Sequence, residues 1–313
     1  MAAHPGWRGI FPAVTTKFDA DGRLDPARCE GHFAWQVEHE VDGLIVSGSL
    51  GEGSTLTAEE KIELVRIALS AASRKAPVLL AVAESSTARA IDLARRAEAA
   101  HADGLMLLPP MMYHASADET AVWFETIAAA TGLPIMVYNN PVSYKIDVTP
   151  EILARLARAQ NIVAVKESSD DVRRVIRIRN SLGDRLAIFT GVDNLALESC
   201  LVGADGWVAG LVCAFPAETV AVWRLARAGR VDEALAIYRW FTPLLELDVS
   251  PRLVQNIKLA EAIVGVGSET VRPPRLPLAG EERARVEKIV RDALAARPAL
   301  PAGAALPARP AAA

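Results

Sequence analysis

Residues 161–171 read NIVAVKESSDD, a β-branched apolar run that closes on Lys166 and turns at once to serine and aspartate. The chain has seven lysines, and the other six sit in stretches that read as polar or amphipathic. A lysine ending a run that reads as a buried strand therefore sets the question for the rest of the sequence.

That run has company. GIFPAV (9–14), GLIVSG (43–48), PVLLAVA (77–83), GLMLLP (104–109), PIMVYN (134–139), LAIFTG (186–191) and GWVAGL (206–211) bring the number of candidate strands to eight. Between them lie alanine-rich stretches with helical periodicity, such as 57–72, 86–101 and 116–131. The first opens on Thr57 with Glu60 three positions on, a capping box. The strand runs are continuously apolar rather than alternating, so both faces of the sheet are covered, as in a parallel sheet with helical crossovers. Eight such units predict an α/β fold, a closed (β/α)8 TIM barrel over residues 1–228. After residue 228 the strand runs stop, and 229–296 reads as a C-terminal helical extension. The last stretch, 297–313, is rich in alanine and proline and is expected to be disordered.

Composition narrows the function. No apolar run is long enough to span a membrane. The first residues lack the basic start and apolar core of a secretory signal, so a cytoplasmic protein is expected. Cys29, Cys200 and Cys213 show no CxxC spacing and read as reduced and buried, without a disulfide or a zinc site. A net charge of −4 argues against nucleic acid as the partner. The densest basic run, RRVIRIRN (173–180), reads as the solvated side of a helix. No GxGxxG follows the first strand, so no dinucleotide site is expected.

In a (β/α)8 barrel the groups at the C-terminal strand ends face the site. That rule collects Gly48, Ser49 and Leu50 after the second strand, Tyr138 on the fifth, Lys166 on the sixth, Gly191 and Asp193 after the seventh and Gly210 after the eighth. An amine closing a dry strand loses its proton more easily. The neutral amine can add to a carbonyl and form a Schiff base, with the iminium as electron sink. Tyr138 on the adjoining strand can move protons. The loop GSLGEG, with Ser49 and Ser54 and its backbone N–H groups, can seat a carboxylate. From the local pattern alone Lys166 can equally be an ion-pair partner and Tyr138 a structural tyrosine. Ser168, Ser169, His114 and Asp193 are further candidates for contact with the distal part of a substrate.

Taken together, FPAVTTKFDADGRLD, GLIVSGSLGEGSTLTAEEK, PIMVYNNP, VAVKESSDD and GVDNLALESCLVGADGWVAG resemble the dihydrodipicolinate synthase and N-acetylneuraminate lyase family of Schiff-base-forming barrels. The resemblance runs over about residues 8–295. It implies that Lys166 condenses with the C2 carbonyl of a 2-oxo acid, that Tyr138 relays protons, and that Ser49 with the Ser49–Leu50 backbone holds the carboxylate. It implies no cofactor, and a homodimer or homotetramer with the loop LPPMMYHAS (108–116) as a contact. Three departures stand out. Leu50 replaces a second hydroxyl residue. Ser143 stands where a true dihydrodipicolinate synthase has a basic residue gripping its second substrate, with Lys145 nearby. Met111 and Met112 occupy the place of a double aromatic that sends a tyrosine into the neighbouring subunit's site, with Tyr113 one step late.

These departures favour chemistry that needs one 2-oxo acid or cyclic imine. The pattern is most similar to the branch containing Δ1-pyrroline-4-hydroxy-2-carboxylate deaminase and the 2-keto-3-deoxy sugar-acid dehydratases. A retro-aldolase uses the same lysine and tyrosine and stays open, as does the synthase itself. A metal-dependent barrel would need ligands at strand ends, where His114 stands alone among the five histidines. A binding module without chemistry would be expected to have lost Lys166 or Tyr138.

Overall fold

A computed structural model of the chain describes residues 5–301. Its strands are β1 (Gly9–Pro12), β2 (Leu44–Val46), β3 (Val78–Val82), β4 (Gly104–Leu107), β5 (Ile135–Asn139), β6 (Ile162–Glu167), β7 (Ala187–Thr190) and β8 (Gly206–Ala209). All pair in parallel, in the order β1-β8-β7-β6-β5-β4-β3-β2. A bridge between Ala13 and Ile45 brings β1 against β2, with Val14 N donating to Ile45 O at 3.0 Å. The sheet thus closes on itself, the TIM barrel that the apolar runs predicted.

Every residue of these strands is buried. Side chains alternate between the barrel interior and the helical layer, and both environments are dry, which is why the runs are unbroken in sequence. The helix Ala58–Ala72 begins as read, with Thr57 and Glu60 forming both halves of the capping box. The stretches 86–101 and 116–131 become the helices Thr87–Ala99 and Ala117–Ala128. Beyond residue 228 lie three longer helices, Val231–Leu245, Leu253–Val264 and Gly280–Ala295. Most of the tail that was expected to be disordered, residues 302–313, lies outside the described residues.

Two readings need correction. Lys166 is not the only lysine taken out of water: Lys17, Lys61 and Lys258 are buried as well. Lys17 Nζ meets Glu261 at 2.5 Å and Thr15 Oγ1 at 2.6 Å. Lys258 Nζ meets Glu52 at 2.5 Å and the Thr270 carbonyl at 2.7 Å, over the ring of Phe18. The two acidic partners lie more than 200 residues from their lysines, so local context could not show them. These pairs fasten the helix Leu253–Val264 to the end of β1 and to the loop after β2. The basic run 173–180 is likewise not all solvated. Arg173 pairs with Asp171 at the surface, whereas Arg174 reaches Asp147 and Arg179 reaches Asp205 from less exposed positions.

The three cysteines are buried and free. Among the described residues no helix is long and apolar enough to cross a membrane.

Candidate active site

Strand register brings the two principal candidates together. Tyr138 on β5 is the direct neighbour of Lys166 on β6. The next pair in register, Asn139 and Glu167, lies on the opposite face, where Asn139 Nδ2 donates to Glu167 and to Asp147, each at 3.1 Å. Inside, Lys166 Nζ sits 4.1 Å from the centroid of the Tyr138 ring. Both side chains are nearly inaccessible to solvent. Burial pushes the Lys166 amine below the usual lysine range, against the opposing pull of Tyr144, Asp248 and Asp193. Burial also raises the Tyr138 phenol, while a hydrogen bond from Asn140 Nδ2 (3.2 Å) favours its ionised form. A cation would sit well over a phenol face, but the desolvation that dominates here favours the neutral amine.

Why Tyr138 has that partner follows from a short piece of local structure. Asn140 and Pro141 form an N-cap and first position, and Asn140 Oδ1 accepts from Ser143 N at 2.9 Å. The single turn Pro141–Tyr144 that results carries Tyr144 back over the barrel mouth. Its ring meets that of Tyr138 edge-on, with centroids 5.6 Å apart. Its hydroxyl shares a 2.5 Å hydrogen bond with Ser49 Oγ. Burial raises the Tyr144 phenol too. Lys145, next along, turns its ammonium back to the Val142 carbonyl at 2.7 Å. Ser143 and Lys145 thus provide no free cation beside the lysine.

The loop after β2 is held in shape from below. Ser47 has a left-handed backbone (φ 61°), and a Cβ on Gly53 would overlap the Ser47 carbonyl. Glu52, fully buried, accepts from Lys258 Nζ and, at 2.9 Å, from Arg272 N. The loop therefore presents Ser49 to solvent while Leu50 packs its side chain into the core. Gly48 is buried and has no close neighbour at its Cβ position, the nearest being Met106 Cε at 3.7 Å. Ser54 is exposed in the turn Gly53–Thr55.

The remaining candidates divide. A Cβ on Gly191 would overlap Lys166 Cε and Ser168 Oγ, so this glycine makes room for the lysine itself. Ser168 is buried beside Gly191, and its hydroxyl favours the ionised form of the Tyr138 phenol. Ser169 Oγ is unpartnered, but its N–H is tied to Glu167 at 2.8 Å. Asp193 is fully engaged, accepting from Trp207 Nε1 and Leu211 N at 2.8 Å and from Gly210 N at 3.1 Å. It clamps the end of β7 to the end of β8. Gly210 leaves space for the carboxyl of Asp248, whose Cγ would lie 2.8 Å from a Cβ there. His114 is exposed on the loop after β4 and has no part in these contacts.

Two residues of this ring escaped the sequence reading. Tyr144 had a legible signal, since a tyrosine four positions after an Asn-Pro cap lies one turn back toward the cap. Asp248 had none, because it reaches the barrel from the irregular segment between two C-terminal helices.

A desolvated amine at a barrel strand end with a phenol beside it suits a lyase that works through a lysine Schiff base, and this chain is of that class. It belongs to the dihydrodipicolinate synthetase family, whose profile matches residues 6–293. The 4-hydroxy-tetrahydrodipicolinate synthase of Moorella thermoacetica is 36% identical over 283 residues, covering 90% of this chain and 96% of that protein. The enzyme of the same name from Acidiphilium cryptum is 31% identical, with coverage of 90% and 96%. Among solved structures, the 4-hydroxy-tetrahydrodipicolinate synthase of Methylacidiphilum fumariolicum SolV superposes with a TM-score of 0.86 at 30% identity, covering 93% of this chain and 98% of that one. YagE, a prophage protein of this family from E. coli K12 solved with pyruvate, gives 0.87 at 28% identity, with coverage of 92% and 99%.

Proposed function

We propose that this chain catalyses elimination from a small 2-oxo acid or its cyclic imine, best represented by Δ1-pyrroline-4-hydroxy-2-carboxylate. Lys166 adds to C2 and the ring nitrogen departs, leaving the iminium on the lysine. Loss of a C3 proton and of the C4 hydroxyl follows, with the iminium as electron sink. Hydrolysis at C2 frees Lys166, and hydrolysis at C5, after the double bond has moved there, frees ammonia and gives 2-oxoglutarate semialdehyde. One water leaves and two enter. The lysine is the electron sink, so the reaction calls for no cofactor.

Tyr138 is the proton-transfer group at the adduct, and Ser49 with the Ser49 and Leu50 N–H groups receives the C1 carboxylate. Tyr144 links the two through its hydrogen bond to Ser49. Gly48, Gly191, Gly210 and Ser168 shape the floor around the adduct.

What favours elimination over condensation is that, among the described residues, neither position 143 nor Lys145 offers a cation to a second acid. Ser143 stands at that place and Lys145 is turned away onto Val142 O. The charges that act on the lysine are instead those of Tyr144, Asp248 and Asp193. A second reading, 4-hydroxy-tetrahydrodipicolinate synthase, is favoured by the names of the relatives. The test is to incubate the protein with the imine, and separately with pyruvate and aspartate semialdehyde. Ammonia and semialdehyde from the imine, together with a borohydride-trapped pyruvate adduct on Lys166, are expected. Condensation product without ammonia would establish the synthase, and no adduct on Lys166 would end both readings.

We also expect a homodimer or homotetramer. Met112 and Tyr113 are 74% and 55% exposed, an apolar loop at the barrel mouth of the kind that copies cover.

A further inference from the structure

Asp248 enters the barrel mouth from the segment joining the helices Val231–Leu245 and Leu253–Val264. Its carboxyl packs over Gly210 at the end of β8, close enough that a Cβ there would overlap Oδ1. The Asp193 carboxylate meets the same glycine through its backbone, 3.1 Å from Gly210 N. Two carboxyl groups therefore meet one residue in the ring that holds Lys166.

Their surroundings differ sharply. Asp193 is buried but receives three N–H donors, from Trp207, Gly210 and Leu211. Asp248 is half-buried, and among the described residues its carboxyl accepts no hydrogen bond. Two carboxyl groups that meet the same residue and feel each other's charge do not both stay readily ionised. Burial raises Asp193 as well, but its donors pull it back toward the carboxylate, whereas Asp248 has no such donors and is raised further, so the shared proton rests on Asp248. Burial and the Asp193 charge both push Asp248 well above the usual carboxylate range, with Lys166 pulling the other way. The charged or titratable groups that feel Asp248 are Asp193, Lys166 and Tyr138. Environments that set two acids apart in this way divide their roles.

We propose that Asp248 is the general acid of the elimination, giving its carboxyl proton to the hydroxyl that leaves C4. As the C3 carbanion, held as the enamine on Lys166, returns its electron pair to form C3=C4, the C4–O bond breaks toward oxygen. The Asp248 O–H bond breaks with it, and the proton completes a water molecule. Asp248 is left as carboxylate and regains its proton from solvent before the next turnover. This inference rests on the elimination reading. It adds a catalytic residue from the C-terminal helical region, and a hydroxyl at C4 as the substrate feature that region recognises.

The experiment uses the full chain and Asp248→Asn, with Asp248→Glu as the variant that keeps an acid. With pyruvate and borohydride, Asp248→Asn should trap on Lys166 as wild type does, showing that the fold and the amine are intact. Ammonia release from Δ1-pyrroline-4-hydroxy-2-carboxylate should fall about 10²-fold in kcat, with KM little changed, and Asp248→Glu should recover part of it. Wild-type activity should decline as pH rises through the titration of Asp248, and that limb should vanish in the Asn variant. A 4-chloro analogue, whose chloride leaves without a proton, should be turned over by Asp248→Asn at close to the wild-type rate. Wild-type kcat in Asp248→Asn, or an unrescued loss with the chloro analogue, overturns the assignment while the elimination reading stands. A wild-type protein that releases no ammonia from the imine overturns both.

Discussion

The Tyr144 hydroxyl is hydrogen-bonded to Ser49 and its ring is set edge-on to Tyr138, so on the proposed chemistry these three residues form a proton route within one subunit. If the route works as a unit, Tyr144→Phe and Ser49→Ala should each lower kcat about 10²-fold. The double variant should be little worse than either alone, because members of one chain do not contribute additively. Steady-state kinetics of the three variants decides it, and fully multiplied losses would show that the two hydroxyls act separately. Lys166 and Tyr138 were legible because they end regular strands, where position along the strand fixes which way a side chain faces. Tyr144 hangs on a single capped turn, which the sequence encodes but which does not advertise a function. Asp248 depends on how a remote segment folds back, and no local pattern carries that.

Among the elements, the helix Leu253–Val264 is the one whose interior the sequence disguised. Its Lys258 and Glu261 look like the polar side of an amphipathic helix, yet both are buried against charges contributed by the first 60 residues. Lys258→Met removes one partner and leaves Glu52 buried with a weakened set of donors. A loss of about 3–5 kcal/mol is expected, read in urea titration. Glu52→Leu with Lys258→Met should cost less than the single change, since no buried charge is then stranded. The helix Pro26–Glu38 docks through His32, whose Nε2 lies 2.9 Å from the Cys213 carbonyl while Nδ1 has no partner. Burial, reinforced by Lys17, lowers this imidazole from 6.5 to about 4. The unfolded chain therefore takes up the proton first. Stability is complete above pH 6.5 and declines as pH falls toward 4, by up to about 3 kcal/mol. His32→Gln should flatten that segment of the stability–pH curve, and an unchanged slope would place the acid sensitivity elsewhere. By contrast, the capping box at Thr57 was read correctly because both of its halves lie within four residues.

At the scale of the whole molecule, periodicity was sufficient for the barrel. Eight apolar runs separated by helix-length stretches admit few closed arrangements, and the strand order follows chain order all the way round. What periodicity could not supply is how copies meet. Replacing Met112 with Glu and Tyr113 with Ser should shift the protein toward monomer in sedimentation velocity if that loop is covered by another copy. An unchanged sedimentation coefficient would leave the loop as bare surface.

The long-range ion pairs also say something about how the molecule comes into being. A ribosome that has finished β8 has made every strand, but Lys17 and Glu52 are already in the chain and their counter-charges at Glu261 and Lys258 are not. A barrel closed at that moment would bury two uncompensated charges at its first two strand ends. Removing the helix Leu253–Val264 should therefore cost more stability than the loss of its packing alone, because Lys17 and Glu52 would both lose their buried partners.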